Sequence, residues 1–295
     1  MTSYFKRAGL SLTLLSLPIT SYADLTPLND EFLGDTVGQS GISIELETKV
    51  NIGEFRYTDE GSIALDNVQF GGANKNTFFG RTISSINPTD KLDDMRIDID
   101  SNSNGDLLIN MGATSTCIGC VGTSPVDFGL SFDSVRLVSQ DNQVSTTIIQ
   151  DFSMTGYFTA AYMQIKNTGN TGQINAKISF AIDDIDMSIP TLGMSIEDMY
   201  IAGSGFHEDQ ELGFFDIANS GAVARLTIEA VDGYSTGATT SDDVLSISLY
   251  GNGGENTPFE ADMGFGNINI GNASIGSVTI DDLKLHGTKL HVFGH

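Results

Sequence analysis

Ile63-Ala64-Leu65-Asp66-Asn67-Val68-Gln69-Phe70 is an alternating apolar phrase broken once, by two polar residues. Ile63 and Leu65 set one phase, Val68 and Phe70 resume in the other, and Gly71-Gly72 closes the phrase. The phrase returns as Leu130-Ser131-Phe132-Asp133-Ser134-Val135-Arg136-Leu137, as Met194-Ser195-Ile196-Glu197-Asp198-Met199-Tyr200-Ile201 and as Val278-Thr279-Ile280-Asp281-Asp282-Leu283-Lys284-Leu285. In an extended strand successive side chains point to opposite faces, so a one-residue slip sends the second half of each phrase to the wrong side. A bulge or short bend at the polar pair lets both halves bury one face. The spacing of the copies is too irregular for a short-period solenoid, and implies one β unit used four times.

The rest of the chain has the same character. Ile42, Ile44 and Leu46 alternate with Ser43, Glu45 and Glu47, and the segments 95–100 and 107–111 flank a polar turn as a hairpin. Further alternation occupies 144–158, 160–165, 174–189 (stopped by Pro190), 223–228 and 244–250, and a staircase of apolar residues runs from Phe265 to Val292. The segment 71–91 is expected to be a surface loop around an apolar island, Phe78-Phe79. Beyond a helical turn or two near 27–33, no segment offers an amphipathic helix. Glycine is abundant, at 33 residues, and tryptophan is absent. The expected fold is all-β: an elongated β-sandwich, β-roll or β-helix-like stack with irregular internal repeats. An outer-membrane β-barrel is the competing architecture, opposed by charged and glycine-broken faces and by missing aromatic girdles.

Residues 1–23 have the form of a secretory signal peptide. Lys6 and Arg7 precede an apolar stretch at 10–19, and Ser21-Tyr22-Ala23 offers a small-x-small cleavage site. Residues 24–40 are then a lead-in segment, and 41–295 an all-β domain, with two similar halves meeting near 166–173. The expected location is the cell surface or the extracellular space, with no transmembrane segment in the mature chain. The formal net charge of the 295 residues is −24, and loss of Lys6 and Arg7 makes it more acidic. Such a chain repels nucleic acid, and an anionic membrane surface is an equally poor partner.

Few residues announce chemistry. Asp100, Asn102, Asn104 and Asp106 fall at alternate positions with Gly105 at the sharp turn, the oxygen spacing of a weak Ca²⁺ loop. The bidentate acid that closes such loops is replaced by Met111, so a plain polar turn competes. Cys117 and Cys120 are the only cysteines, and in an exported chain they are expected to form a local disulfide. His207-Glu208-Asp209 and the acidic pairs Asp183-Asp184, Asp242-Asp243 and Asp281-Asp282 could ligate metal or serve hydrolysis. In a chain with 38 acids they single out nothing. No catalytic residue and no required cofactor is expected.

Asp30, Glu31, Leu33, Val37, Gly38, Gln39, Gly41, Ile42 and Ile44, just after the leader, resemble the start of an uncharacterised family of exported Gram-negative proteins. Some of its members are labelled components of a putative pilus or surface-filament system. The segments 52–59 and 275–280 also resemble it. The resemblance implies a structural or surface protein, a filament subunit or adhesion component, whose partners are itself or other envelope proteins. The alternative from another class is a secreted or periplasmic protein binding a glycan or an apolar ligand. One expectation is directly measurable: mass spectrometry of the non-reduced mature protein should find Cys117 and Cys120 joined, and two alkylatable thiols would exclude the bridge.

Overall fold

The computed structural model describes residues 41–114, 124–168, 172–207, 220–231, 234–235, 240–241 and 244–293. The expected leader, the lead-in 24–40 and both cysteines lie outside them. The described residues all belong to the compact unit Gly41–His295.

Its strands in chain order are β1 (Ile42–Thr48), β2 (Val50–Thr58), β3 (Ser62–Gly71), β4 (Thr77–Phe78), β5 (Arg81–Thr82), β6 (Leu92–Ser101), β7 (Leu107–Ala113), β8 (Val126–Val138) and β9 (Ser145–Asn167). There follow β10 (Gly172–Ile189), a 3-10 turn at Pro190–Leu192, β11 (Met194–Ala202), β12 (Ala222–Val231), β13 (Tyr234–Ser235), β14 (Thr240–Ser241), β15 (Val244–Tyr250), β16 (Phe259–Ile270), β17 (Ala273–Leu285) and β18 (Thr288–Val292). The all-β expectation holds, and every pairing is antiparallel.

The long hairpin β9–β10 organises the rest. One end of β9 pairs β8 and the other pairs β7, while β10 pairs β11 at one end and β12 at the other. Two eight-stranded layers therefore share this hairpin. Layer A runs β2-β3-β8-β9-β10-β11-β16-β17, and layer B runs β1-β6-β7-β9-β10-β12-β15-β18. Outward from β9, the chain visits the layers in the order A, B, B, A, A, B when followed backwards. Outward from β10 it visits them in the same order when followed forwards. Among the described residues each end strand (β1, β18, β2, β17) pairs on one side only and the sheet does not close, which removes the β-barrel alternative.

The interrupted phrase does what its polar pair requires. Asn67, Asp198 and Asp282, the second residues of three of the pairs, have φ of 52°, 53° and 55°. In the remaining copy the left-handed residue sits on the neighbouring strand: Asp151, φ 53°, lies between the pairs Phe132↔Phe152 and Ser134↔Gln150, opposite Asp133. Asn and Asp tolerate this conformation better than other side chains. Each inserted turn brings the apolar residues back to one face. Val50, Phe70, Leu130, Met154, Ile185, Met199, Phe265 and Val278 are successive register partners across all of layer A. On its other face Glu54, Asp66, Ser134, Gln150, Ser188, Ser195, Asn269 and Ser274 form an equally continuous polar row. Arg136 grips Asp66 with two nitrogens, at 2.5 and 2.7 Å, and the Ser134 hydroxyl donates to the same carboxylate. These bonds hold the Asp66 carboxyl down at about 2.

Layer B needs fewer corrections. Ile42, Ile99, Ile109, Met163, Ala176, Leu226 and Leu249 are successive partners from β1 to β15. The apolar faces of the two layers meet near the bend of β9–β10. Phe128 of layer A packs with Leu46, Ile97 and Met111 of layer B around buried Met95, Val126 and Phe158. On the other side Ile201 and Leu285 join Ala224 and Leu249 around Ala222, Phe259 and Ala261. Close approach at the bend excludes side chains: a Cβ on Gly156 would lie 2.4 Å from the Ala181 carbonyl oxygen. Away from the bend burial fades, to 56% exposure at Phe55 and 57% at Leu290.

One expectation is corrected. The segment around Phe78-Phe79 is no surface loop: Phe78, Ile83 and Ile86 are buried with Tyr157 and Ala181, capping the outer face of the bend. Phe78 meets the Tyr157 ring edge-on, with centroids 5.4 Å apart. The apolar content of the segment demanded this burial, which its many turn residues concealed.

Asp127, beneath this cap, is buried and accepts the Ala73 N–H at 2.7 Å. Burial pushes its carboxyl up from 3.8 to about 6. Between those two values the folded chain holds a proton that the unfolded chain has released, so stability falls as pH rises from about 4 to about 6. Asp127→Asn should flatten that slope in denaturant titrations and stabilise the protein at pH 8 by up to about 3 kcal/mol. An unchanged slope would refute the assignment.

Candidate functional site

The outer face of layer A, beside the cap, collects the chain's least ordinary side chains. Asp183 and Asp184 fall where the β10 register slips, between Ile182↔Gly156 and Asp184↔Thr155, and the bulge turns both acids away from the apolar face. The Asp183 carboxylate accepts the Lys75 ammonium at 2.7 Å and the Phe79 N–H. Phe79 needs such support, because it has a φ of 50°, which a bulky residue rarely adopts. Its ring packs on Phe206 (centroids 4.7 Å apart) and on Tyr200 (6.2 Å).

Tyr200 lies flat over β16. A Cβ on Gly264 would sit 2.0 Å from its ring, so only glycine fits there. Its hydroxyl meets His207 Nε2 at 3.0 Å. Burial and the negative Asp262 and Asp281 push its phenol pKa up. Asp262 is fully buried and is held by two backbone donors, the N–H of Asp282 at 2.9 Å and that of His207 at 3.3 Å. Two three-residue groups result: donor atoms of His207, Asp262 and Asp281 lie within 4.8 Å of one another, as do those of Asp184, Asp186 and Asp198. In the second group Asp186 accepts the Asp198 N–H at 2.9 Å. Burial and the neighbouring Asp186 and Asp198 push the Asp184 carboxyl up.

Of the residues singled out by sequence, Asp281 and Asp184 are thus brought into these groups, along with His207. Glu208, Asp209, Asp242, Asp243, Cys117 and Cys120 lie outside the described residues. The segment Asp100 to Asp106 forms a turn tied by its own donors. Asn102 Oδ1 accepts the N–H groups of Asn104 and Asp106, and the Asn102 amide nitrogen donates to Asp106 at 2.9 Å. Gln164 and the Asn167 N–H complete the Asp106 carboxylate, and Asp100 accepts the N–H of Ser101. N–H groups thus engage Asn102 Oδ1, the Asp106 carboxylate and one oxygen of Asp100. Asp186, Asp198, Asp262 and Tyr200 were not singled out. The repeated phrases carried part of the signal, since one of them places Asp198 in one group and another places Asp281 in the other.

A second feature is the shallow hollow on the outer face of layer B, about 230 Å³ in volume, lined by Tyr162, Lys166, Lys177, Arg225 and Tyr250 among others. It gathers three of the chain's 14 basic residues in one place. A third is the set of edges that no other described strand covers. β2 is exposed along its whole length, and Ile42, Ile44, Ile275, Val278, Leu290 and Val292 on the other end strands are more than 40% exposed.

A family model described as "Family of unknown function (DUF6160)" matches residues 1–103, so the chain is similar to that family over its first strands. No curated protein and no solved structure matches the chain. Among the described residues no helix is long and apolar enough to cross a membrane.

Gly264→Ala should displace the Tyr200 ring, break its bond to His207 and cost about 1–3 kcal/mol. Thermal denaturation checks the cost. An unshifted His207 resonance in the folded variant would show that the tyrosine contact does not depend on this glycine.

Proposed function

We propose that the protein is an exported structural subunit that assembles edge to edge, the end of layer B in one copy adding to its beginning in the next. The observation that carries this reading is the pair of open edges of that layer. β1 presents Ile42, Ile44 and Leu46 on one face and Ser43, Glu45 and Glu47 on the other; β18 presents Leu290 and Val292 on one face and Lys289 and His291 on the other. Eight antiparallel strands make β18 run opposite to β1. A copy added by translation therefore continues the antiparallel order. The register that pairs Ile44 with Leu290 also pairs Ile42 with Val292 and Glu45 with Lys289, joining apolar to apolar and acid to base. Proteins that stay monomeric shield such edges with short strands, prolines or inward charges. The signal-like leader and the resemblance to exported surface-filament proteins support the same reading.

The layer-B hollow favours a second reading, a surface that binds an acidic glycan through its two tyrosines and three cations. Binding of acidic oligosaccharides by a protein that remains monomeric would favour it.

Light scattering and electron microscopy of the mature protein test the assembly. Association should strengthen from low salt to about 0.5 M as the acidic charge is screened. Ile44→Lys and Leu290→Lys should each abolish growth, whereas a mixture of the two should form pairs and nothing larger, because one intact copy of each edge remains. A wild-type protein that stays monomeric at every salt concentration would defeat the proposal.

A further inference from the structure

We infer that His207, Asp262 and Asp281 form a binding site for one first-row divalent cation of the zinc type. The donor set is the reason for the class: one imidazole and two carboxylates make a mixed nitrogen–oxygen site, which zinc accepts and which harder ions such as calcium do not favour.

Three observations converge. Donor atoms of the three residues already lie within 4.8 Å of one another. Tetrahedral zinc with bonds near 2 Å needs donors about 3.3 Å apart, so the exposed Asp281 side chain has only a short distance to swing inwards. Second, Asp262 is fully buried in a strongly acidic chain, and among the described residues it meets no cation. Lys284 of β17 is committed to Glu260 at 3.3 Å. A buried carboxylate is costly unless it is paired or coordinates a metal; two backbone N–H groups orient this one without supplying a charge. Third, the surroundings hold the ligands as supporting groups around a metal do. Tyr200 fixes the His207 ring through Nε2, and the bulge at Asp281-Asp282, opposite Asp262 between Ala261↔Leu283 and Met263↔Ile280, brings the two carboxylates within 4.8 Å of each other.

The cation would tie the segment after β11 to the β16–β17 bulge and neutralise the charge that gathers there. One face of the site is exposed through Asp281, which leaves an entry path and room for a water in the remaining position.

The test uses the full mature chain, stripped with chelator and titrated with Zn²⁺ by calorimetry. One equivalent should bind, the melting temperature should rise, and Co²⁺ should give the visible absorption of a nitrogen–oxygen site. Asp281→Asn, a change at an exposed side chain, and His207→Gln should each weaken binding at least tenfold. Asp198→Asn, in the neighbouring acidic group, should bind as the wild type does. Circular dichroism establishes that each variant is folded, and the exposed Asp281 variant carries the test should His207→Gln fail to fold. No stoichiometric uptake, equal affinity in Asp281→Asn, or loss in Asp198→Asn would each overturn the site.

Discussion

The structure depends on one local constraint: a strand that must cross an eight-stranded layer has to change phase once without turning its apolar side outward. Uncorrected, the polar pair would send half of each phrase to the wrong face, and with it half of every apolar row. The left-handed residue corrects the phase. A left-handed conformation costs an ordinary residue roughly 1–2 kcal/mol, and Asn or Asp less. A single exposed Leu-sized side chain forfeits a similar sum, so keeping several in phase decides the balance. The corrections are also shared. Along layer A the left-handed residues fall on alternate strands, at Asn67 of β3, Asp151 of β9, Asp198 of β11 and both Gly276 and Asp282 of β17. The strands between them meet the kink with small or acidic residues, as Asp133 does in accepting the Asn67 amide at 2.6 Å.

This division explains what the sequence discloses. A bulge is local chemistry, so the polar pairs of the four phrases were legible, as were the β6–β7 hairpin and the stop at Pro190. The copy at Asp133-Ser134 is the instructive exception, because its turn is made by Asp151, a residue outside the phrase. Which strand pairs with which was not legible: β3 finds β8 across more than 50 residues, and nothing in either strand names the other. The burial of Phe78 was hidden for the same reason, since its partners Tyr157 and Ala181 belong to the central hairpin. The acidic groups were obscured by plenty. With 38 acids in the chain, adjacency in sequence carries little information, and only the long-range register brings Asp262 to Asp281 and His207.

The bulges also account for where the acids converge. A residue inserted into a ladder is re-aimed, and Asp or Asn is the residue that takes the insertion most cheaply. A fold that corrects its phase with these residues therefore lays carboxylates along its polar face. Where two corrected strands lie near each other, as β10 with β11 and β16 with β17, their acids meet. The convergence needs no selection for an acidic site to arise. What the bulges do not account for is the full burial of Asp262 beneath His207 and Tyr200, which adds desolvation to its repulsion from Asp281.

The order in which the chain visits its layers has a last consequence, for the edges. Because the two halves mirror each other about β9–β10, the outermost strands of layer B are the first and last strands of the domain, and those of layer A are their neighbours β2 and β17. A layer with an even number of antiparallel strands ends in two strands of opposite direction, and here the two edges differ in their side chains, β1 carrying Glu45 and Glu47 and β18 carrying Lys289 and His291. A symmetric dimer would pair like edges, and a β1–β1 pair would gather Glu45 and Glu47 of both copies on one face. Head-to-tail addition avoids that repulsion and leaves one free edge at each end, a geometry that does not close unless the accumulated twist brings the ends together. For the assembly proposed above, the unlike charges of β1 and β18 favour head-to-tail addition over a pairing of like edges.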